Sequence, residues 1–409
     1  MGKVYPFITN DGSVGLYSAD FDDIYHSVTG AYSEAWEKFT LNASLSDYIN
    51  NKTIKVLDLC YGIGYNTKSL LQNFFEIQKI NNIGKLYTET IYSDNILQEN
   101  RQVRDIKISV DAVDLDKNLM CMAPLFKIFK RAELKKQKIP NNRIKKYFAD
   151  KIYQKYKYEK FIDYLILMLL VKSDNFKTEL SNIAQGKSNQ EICRYFSPAK
   201  MAFIRFLLSE RHSDTHMRRL SSFVHNIYYH HISSCYKKAL KAFNDGKVDI
   251  RFINDDARNF VKSSDRTYDL IFLDGFTTNK CPCLWTYDFF KELYDHLSPN
   301  GKLITYSNAA HVRNSMLAVG FNVGKIYNAN EGKYTGTIAV KNKSFIKHEL
   351  TESDLRLVKS RAGVMYRDEN LNAPNEVILN RREAEVKNSH LLSSSQAAKI
   401  NNETAVADV

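Results

Sequence analysis

The chain has 409 residues and a formal net charge of +12, with a pI near 9.1. This length is enough for one large domain or two ordinary ones. Its 44% hydrophobic and 12% aromatic residues describe a globular protein. The positive charge indicates a polyanionic partner, which concerns association and not fold.

The cysteines, histidines and apolar segments argue against a disulfide-stabilised protein, a metal-binding protein and a membrane protein. Six cysteines are scattered along the chain, and Cys281 and Cys283 have no second pair at zinc-ligand spacing, so we expect no disulfide framework and no metal. His230 and His231 do not indicate a metal either, because adjacent residues of a helix point in different directions. The most apolar segment, residues 164–171, is far shorter than the roughly 20 residues that cross a bilayer. Since the N-terminus also lacks signal-peptide features, we expect a reduced, cytoplasmic protein that does not enter membranes.

The first predicted unit is a strand, a glycine turn and a helix. Residues 55–59 are an apolar run of strand length, Gly62 and Gly64 follow, and residues 68–78 continue with helical periodicity. Further strands alternate with helices, which predicts a doubly wound α/β domain with a mostly parallel sheet and an antiparallel final pair. The further strands are predicted over residues 107–113, 248–253, 268–273, 301–306, 321–326 and 335–340, with helices over 288–296 and 312–319.

Acidic residues follow three successive predicted strands. Asp58 lies at the tip of the first, Asp114 follows the second, and Asp256 with Ala257 follows the third. Asp58 would repel a phosphate but suits the ammonium of an amino-acid tail, and Asp114 suits two ribose hydroxyls. Asp256 suits an adenine amino group, to which Ala257 adds a backbone N–H. A cationic cofactor without phosphates fits this pattern, so we predict S-adenosylmethionine in preference to NAD or FAD.

A fourth acidic residue, Asp274, ends the strand predicted over 268–273 and precedes Gly275 and Phe276. Glycine adopts backbone angles that other residues avoid, so we expect the strand to break at Gly275 and leave Asp274 at its tip. A carboxylate beside an aromatic ring suits an enzyme that holds a planar base and takes a proton from its amine. The alternative is an ordinary turn, because Asp and Gly are common turn residues.

A long segment separates the second and third strands, and its first part is strongly basic. Residues 124–160 contain 13 Lys or Arg residues and 3 Asp or Glu residues, a net charge of +10. We favour an RNA-binding arm that grips phosphates and stacks on bases. The alternative is a solvated helix face whose aromatic residues pack inward. The tyrosines interleaved with the lysines are Tyr147, Tyr153, Tyr156 and Tyr158.

The elements divide the chain into four parts. We expect residues 1–54 to pack on the cofactor site, and residues 55–123 and 245–342 to form the α/β core. Residues 124–244 are expected to form a large helical basic insert that includes the arm. Residues 343–409 are a helical extension, and its polar tail from residue 388 is expected to be disordered.

Five blocks of the sequence occur in the order found in one enzyme family. They begin at Tyr17, Asp58, Asp256, Phe272 and Thr305, and they lie within residues 17–66 and 248–340. In these blocks the chain resembles the methyltransferase half of the bifunctional MnmC enzymes, the tRNA 5-methylaminomethyl-2-thiouridine methyltransferases. It departs from the family in two places. Cys60 stands where the family's turn has its first glycine, and the insert is longer than the family usually has. We expect a stand-alone methyltransferase without the FAD-dependent oxidase domain.

The resemblance implies a fold, a reaction and partners. The fold is a Rossmann-like class I methyltransferase that uses S-adenosylmethionine. The substrate is the 5-aminomethyl group of the wobble (2-thio)uridine in tRNA, which becomes 5-methylaminomethyl. Asp274 deprotonates or orients the amine. The resemblance also implies a functional link to the enzymes that install the aminomethyl group.

The resemblance also assigns residues to the cofactor. Tyr25 and Glu34 match positions that the family keeps near the cofactor, and Gly62 and Gly64 belong to the glycine turn of the cofactor site. Asn66 follows that turn and either contacts the cofactor or only caps the helix.

Other residues are assigned to the substrate. The target base must leave the anticodon stack, and Phe276 or Tyr25 packs on it. Lys280 and Arg313 contact the RNA or, in the alternative, are only surface charges.

Two other functions stay open on the sequence alone. One is a related class I methyltransferase that acts on another nucleic-acid amine. The other is a non-catalytic RNA-binding module that has kept a methyltransferase fold. Titration with S-adenosylmethionine separates the second from both enzymes, because a decayed site binds no cofactor.

Overall fold

The computed structural model describes residues 4–91, 106–129, 159–187, 190–209 and 230–404. Residues 130–158, which hold most of the predicted arm and all four of its tyrosines, lie outside the described residues. The strands form two sheets. They are β1 (Val4–Ile8), β2 (Val14–Ser18), β3 (Asp23–Ile24), β4 (Thr53–Leu59), β5 (Lys107–Asp114), β6 (Val248–Asn254), β7 (Tyr268–Leu273), β8 (Leu297–Thr305), β9 (Asn322–Asn328) and β10 (Lys333–Val340).

The large sheet has the strand order β6-β5-β4-β7-β8-β10-β9, and a small antiparallel sheet has the order β1-β2-β3. Strands β4 to β8 are parallel, while β10 is antiparallel to both β8 and β9. The predicted α/β fold with an antiparallel final pair is therefore confirmed. The strand order reverses at β4, where β5 and β7 lie on either side and open a crevice at their carboxyl ends.

Helices cover both faces of the large sheet. Successive residues of β4 point to opposite faces, so Val56 enters one core and Leu57 the other. The helices of the α/β part and the C-terminal extension are Tyr65–Ile91, Lys117–Met122, Ala257–Ser263, Tyr287–Asp295, Ala310–Val319, Glu352–Val358, Asn375–Asn388 and Ser394–Thr404. The described parts of the insert are helical as predicted, over Phe161–Lys172, Asp174–Ala184, Gln190–Cys193, Pro198–Ser209 and His230–Asn244.

Short helices complete the described chain. In the N-terminal part, Ala31–Glu34 continues into the π-helix Ala35–Thr40 and then Leu41–Ala43. No helix of the described ranges is both long and apolar enough to cross a membrane. The 3-10 helices are Leu45–Tyr48, Ala123–Leu125, Pro282–Trp285, Lys343–Phe345 and Arg361–Gly363.

The predicted disorder after residue 388 is wrong for the stretch that ends at residue 404. Ser394–Thr404 is a helix, and Ala397 on it is buried. Ahead of the helix, the carbonyl of Leu392 accepts a hydrogen bond of 2.9 Å from the backbone N–H of Arg361. A polar composition misled the prediction, because one small buried face is enough to hold a helix that packs on a folded domain.

A buried charge cluster connects the insert to the α/β core. The carboxylate of Asp163 is fully buried, and it lies 2.5 Å from Nζ of Lys200 and 3.4 Å from Nζ of Lys68. Asp163 and Lys200 belong to insert helices, whereas Lys68 belongs to the helix that follows β4. Removing one partner of such a cluster leaves the remaining charges uncompensated in a low-dielectric interior.

We predict that Asp163→Asn lowers the free energy of unfolding by about 3 kcal/mol or more. The reason is that it leaves two buried lysines without a counter-charge. Chemical denaturation measures the change. As a control, Glu349→Gln breaks an exposed pair with Lys343 and should change stability by less than about 0.5 kcal/mol. Equal effects of the two substitutions would contradict this account.

Candidate functional site

A cavity of about 670 Å³ opens at the carboxyl ends of the central strands. It lies where the strand order reverses, the usual ligand site of doubly wound sheets, and its size is typical of small-molecule sites. The N-terminal segment forms one side of it, through residues of β2, β3 and the following turn. The predicted site residues that line it are Tyr25, Glu34, Asp114, Asp256, Ala257, Asp274 and Phe276.

The turn after β4 shapes the cavity with three left-handed residues. Cys60, Gly62 and Gly64 have φ values of 63°, 55° and 73°. A Cβ on Gly64 would lie 2.4 Å from the ring of Tyr61, so only glycine fits there. Of the three, Cys60 lines the cavity, so the two predicted glycines give the turn its shape and do not form its wall. Cys60 adopts the left-handed conformation at a cost of about 1 kcal/mol.

Asp58 lies behind the cavity wall and does not line it. Its side chain is fully buried and accepts a hydrogen bond of 2.6 Å from the hydroxyl of Thr67. Burial raises its pKa to about 8. We expected Asp58 to hold the ammonium of the cofactor directly. In the structure, Oδ2 of Asp58 connects β4 to the helix that begins at Tyr65, whereas its buried Oδ1 has no hydrogen-bond partner among the described residues, so the cofactor role stays a prediction.

Asp114 and Asp256 reach the cavity from the ends of β5 and β6, as the strand order predicts. Asp114 accepts backbone hydrogen bonds from Gly62 (2.7 Å) and Asp116 (2.8 Å). Burial raises the pKa of Asp114 to about 6. Asp256 caps the helix Ala257–Ser263 and pairs with Arg258 at 2.8 Å.

The cavity wall carries a strong negative charge. Lys117 is the one Lys or Arg that lines it among the described residues. This distribution disfavours a phosphate-bearing ligand and favours a cationic one. The acidic residues of the wall are Asp20, Asp23, Glu34, Asp114, Asp116, Asp255, Asp256 and Asp274.

Asp274 lies at the end of β7, on the cavity wall. Its Oδ2 accepts a hydrogen bond of 2.8 Å from Nδ2 of Asn66. Burial, followed by the negative charge of Glu34, raises the pKa of Asp274 to about 7. A carboxylate with this pKa exchanges a proton near neutral pH, as a general base requires.

Glu34 and Lys38 form an ion pair beside Asp274. Oε1 of Glu34 lies 2.5 Å from Nζ of Lys38, and Oε2 accepts the backbone N–H of Ser27 at 2.8 Å. Burial opposes the ionisation of Glu34, but Lys38 outweighs it and holds the pKa of Glu34 below its ordinary value. The ion pair therefore favours the negatively charged form of Glu34 near Asp274.

The segment after Asp274 is held by side chains from three other parts of the chain. The hydroxyl of Tyr306 donates to the carbonyl of Gly275 at 3.0 Å, and Nε1 of Trp285 donates to the carbonyl of Phe276 at 3.0 Å. Oγ1 of Thr277 donates to Asp23 at 3.1 Å. These bonds fix the position of the backbone that carries Asp274 and Phe276.

Gly275 is needed for close packing and not for its backbone angles. We expected it to take angles closed to other residues, but it is not among the glycines with positive φ. A Cβ there would lie 3.1 Å from Cδ1 of Leu284 and 3.4 Å from Sγ of Cys60. The glycine lets the loop lie directly on these side chains.

Aromatic rings form the outer part of the wall. Phe21 stacks on Phe276 with ring centroids 4.4 Å apart, and Tyr25 meets Phe276 edge-on at 4.8 Å. Phe21, Lys38 and Tyr306 were not assigned to the site from the sequence. Phe21 and Tyr306 belong to family-like blocks, which is the signal that could have identified them.

The two predicted basic contacts have different positions. Lys280 is exposed, and its Nζ lies 4.0 Å from Asp22, a wide ion pair between two exposed side chains. Arg313 is buried and bonds to Asp354 (3.0 Å), Thr337 (3.1 Å) and Asn308 (2.9 Å). These bonds hold the guanidinium of Arg313 inside the fold and do not favour the predicted RNA contact.

S-adenosylmethionine fits the residues of the cavity. Its sulfonium and ammonium charges match the acidic wall, and it brings no phosphate. Two buried polar atoms at or beside the cavity, Nε2 of His26 and Oδ1 of Asn66, have no hydrogen-bond partner among the described residues. Within those residues, no group of three or more His, Cys, Asp or Glu side chains could hold a metal ion.

Comparisons with known proteins show the fold and a similarity to S-adenosyl-L-methionine-dependent methyltransferases. The family model of an S-adenosyl-L-methionine-dependent methyltransferase matches residues 218–342. An uncharacterized protein of Methanocaldococcus jannaschii is 24% identical over 92% of this chain and 70% of its own length. The crystal structure of MnmC2 from Aquifex aeolicus superposes with a TM-score of 0.54 at 19% identity, covering 95% of this chain and 87% of that one.

A bifunctional MnmC protein, named for tRNA 5-methylaminomethyl-2-thiouridine biosynthesis, gives a shorter match. The protein from Pseudomonas savastanoi pv. phaseolicola is 34% identical over 85 residues, which are 21% of this chain and 13% of that protein. The match thus spans a small part of the relative. The matching family model and the fold imply S-adenosylmethionine as the cofactor, which confirms the cofactor predicted from the acidic strand ends.

We predict that Asp114→Asn weakens S-adenosylmethionine binding roughly tenfold or more, because hydrogen bonds to a charged group contribute about 1.5–3 kcal/mol. Isothermal titration calorimetry measures the affinity. Asp249→Asn, an exposed change on β6, is the matched control and should leave it unchanged. An unaltered affinity of the Asp114 variant would show that Asp114 does not bind the cofactor.

Proposed function

We propose that this chain, an MnmC-like S-adenosylmethionine-dependent methyltransferase, methylates the 5-aminomethyl group of the wobble (2-thio)uridine in tRNA. The product is 5-methylaminomethyluridine or its 2-thio form. When bound, S-adenosylmethionine supplies an electrophilic methyl group and leaves as S-adenosylhomocysteine. The amine nitrogen forms the new N–C bond and loses one proton to the protein.

The observation that carries the proposal is the position and protonation of Asp274. Its carboxylate lies on the wall of the cavity that fits the cofactor. A primary amine is mostly protonated at neutral pH and cannot attack in that form. Asp274, with a pKa near 7, is suited to accept the ammonium proton or to orient the lone pair. Positioning of the amine in line with the methyl group supplies much of the remaining rate.

The aromatic wall supports a planar substrate. Phe21, Tyr25 and Phe276 form one continuous group of rings at the cavity. A uridine that leaves the anticodon stack needs such rings, because they replace the stacking that it gives up. We assign base stacking to Phe276 or Tyr25, and we add Phe21 on the basis of its contact with Phe276.

The tRNA substrate has two further supports. The MnmC relatives are named for tRNA modification, and the net charge of +12 suits a nucleic acid. We also propose that the basic arm over residues 124–160 contacts the tRNA. A cytoplasmic location and a functional link to the enzymes that install the aminomethyl group follow from this substrate.

We predict that Asp274→Asn lowers the rate of methyl transfer at least about 100-fold, the lower limit for loss of a general base. S-adenosylmethionine affinity should stay within a few-fold of the wild-type value. Nucleoside mass spectrometry of tRNA that carries 5-aminomethyl-2-thiouridine measures the product. Loss of cofactor binding in this variant would indicate that Asp274 binds the cofactor. Wild-type protein that binds cofactor but never modifies this tRNA would contradict the proposed substrate.

The pH dependence of kcat/KM tests the tuning of Asp274. We predict that kcat/KM rises with pH through about 7, because the active carboxylate must be deprotonated. Glu34→Gln removes a negative charge that raises the pKa of Asp274, so the rising limb should move to lower pH. Glu37→Gln changes the same charge three residues away and is the matched control. Identical profiles for both variants would show that Glu34 does not tune Asp274.

A further inference from the structure

The hairpin of β9 and β10 places exposed aromatic rings at the same sheet edge as the cavity. Strand β10 is antiparallel to β8 and β9, so the carboxyl ends of β8 and β9 and the amino end of β10 meet at one edge. Tyr306, which lines the cavity, follows β8 directly. Two residues later, Nδ2 of Asn308 donates to the carbonyl of Tyr334 at 3.3 Å. The hairpin is therefore continuous with the cavity wall.

Three rings form a cluster there, which we call the hairpin cluster: Tyr327, Tyr334 and His348. The rings meet pairwise at centroid distances of 5.4, 5.6 and 5.8 Å. Tyr327 is 44% exposed and Tyr334 is 42% exposed, so much of each ring faces outward. Nζ of Lys325 lies 4.3 Å from the centroid of Tyr334.

Two exposed lysines adjoin the hairpin cluster, and acidic side chains lie close to it as well. Lys325 pairs with Asp354 at 2.7 Å, and Glu37 accepts hydrogen bonds from Asn328 and Asn330 of the hairpin. Lys333 and Lys347 are exposed, and Lys333 pairs with Glu331 at 2.7 Å in an exposed pair. Such a pair contributes little and exchanges readily for a phosphate contact. The acidic wall repels phosphates, whereas Lys333 and Lys347 are cations that a phosphate can reach beside the adjoining hairpin.

We propose that the hairpin cluster docks single-stranded RNA beside the reacting nucleotide. This inference rests on the proposed function, which requires an RNA substrate. Neighbouring bases stack on Tyr327 and Tyr334, and the backbone lies along Lys333 and Lys347. Exposed rings interleaved with lysines are the combination that binds unpaired nucleotides without strong sequence preference. Because the wall excludes phosphates, only the target nucleoside enters the cavity.

The test must separate stacking from folding, since Tyr327 and Tyr334 are also cross-strand partners. The double substitution Tyr327→Thr with Tyr334→Thr keeps a β-branched residue at both positions but removes the rings. Fluorescence anisotropy with a labelled anticodon stem-loop RNA measures binding. We expect the dissociation constant to rise roughly tenfold or more. The double change to Phe keeps the rings and should keep the affinity, because the hydroxyls are not needed for stacking.

The salt dependence supplies an independent measurement. Lys333→Gln should reduce the slope of log K against log salt by about 1, whereas Lys387→Gln, on the exposed side of helix Asn375–Asn388, should not change it. Unchanged affinity in the Thr variant, together with an unchanged slope in Lys333→Gln, overturns the hairpin site while the proposed function stands. Wild-type protein that binds no RNA overturns both.

Discussion

The site depends on one constraint, the burial of several carboxylates around a cavity with little positive charge. Asp114, Asp256 and Asp274 come from neighbouring strand ends, and Glu34 adds its charge from the N-terminal segment. Burial makes the ionisation of Asp114 and Asp274 costly, and nearby negative charges add to that cost. A cationic ligand relieves that cost, and a phosphate would increase it. Cofactor choice and the raised pKa of Asp274 therefore have the same physical origin.

The rest of the molecule keeps these groups in place. Tyr306 and Trp285 bond the two carbonyls that follow Asp274, and Asn66 bonds its carboxylate. Asp163, buried between two lysines, connects the helical insert to the helix that carries Asn66. The proposed proton acceptor, Asp274, needs this kind of support, because a reacting group must be held within a fraction of an ångström of its correct position.

The sequence predicted the parts of the site that depend on local pattern. Strand periodicity and order place Asp114, Asp256 and Asp274 at one edge, because parallel strands end together. Burial of Asp58 and engagement of Arg313 could not be predicted in this way. Arg313 is held by Asp354, a partner in the C-terminal extension, and such long-range contacts leave no periodic signal. The acidic wall likewise becomes complete only after folding, when the N-terminal segment meets the strand ends.

The central claim is that Asp274 is a proton acceptor tuned to neutral pH by its surroundings. An NMR titration of its carboxyl carbon, assigned by comparison with Asp274→Asn, measures this property without relying on turnover. The account predicts a pKa near 7 in the cofactor-free protein and a lower pKa in Glu34→Gln. A pKa near 4, the ordinary value for aspartate, would contradict the account.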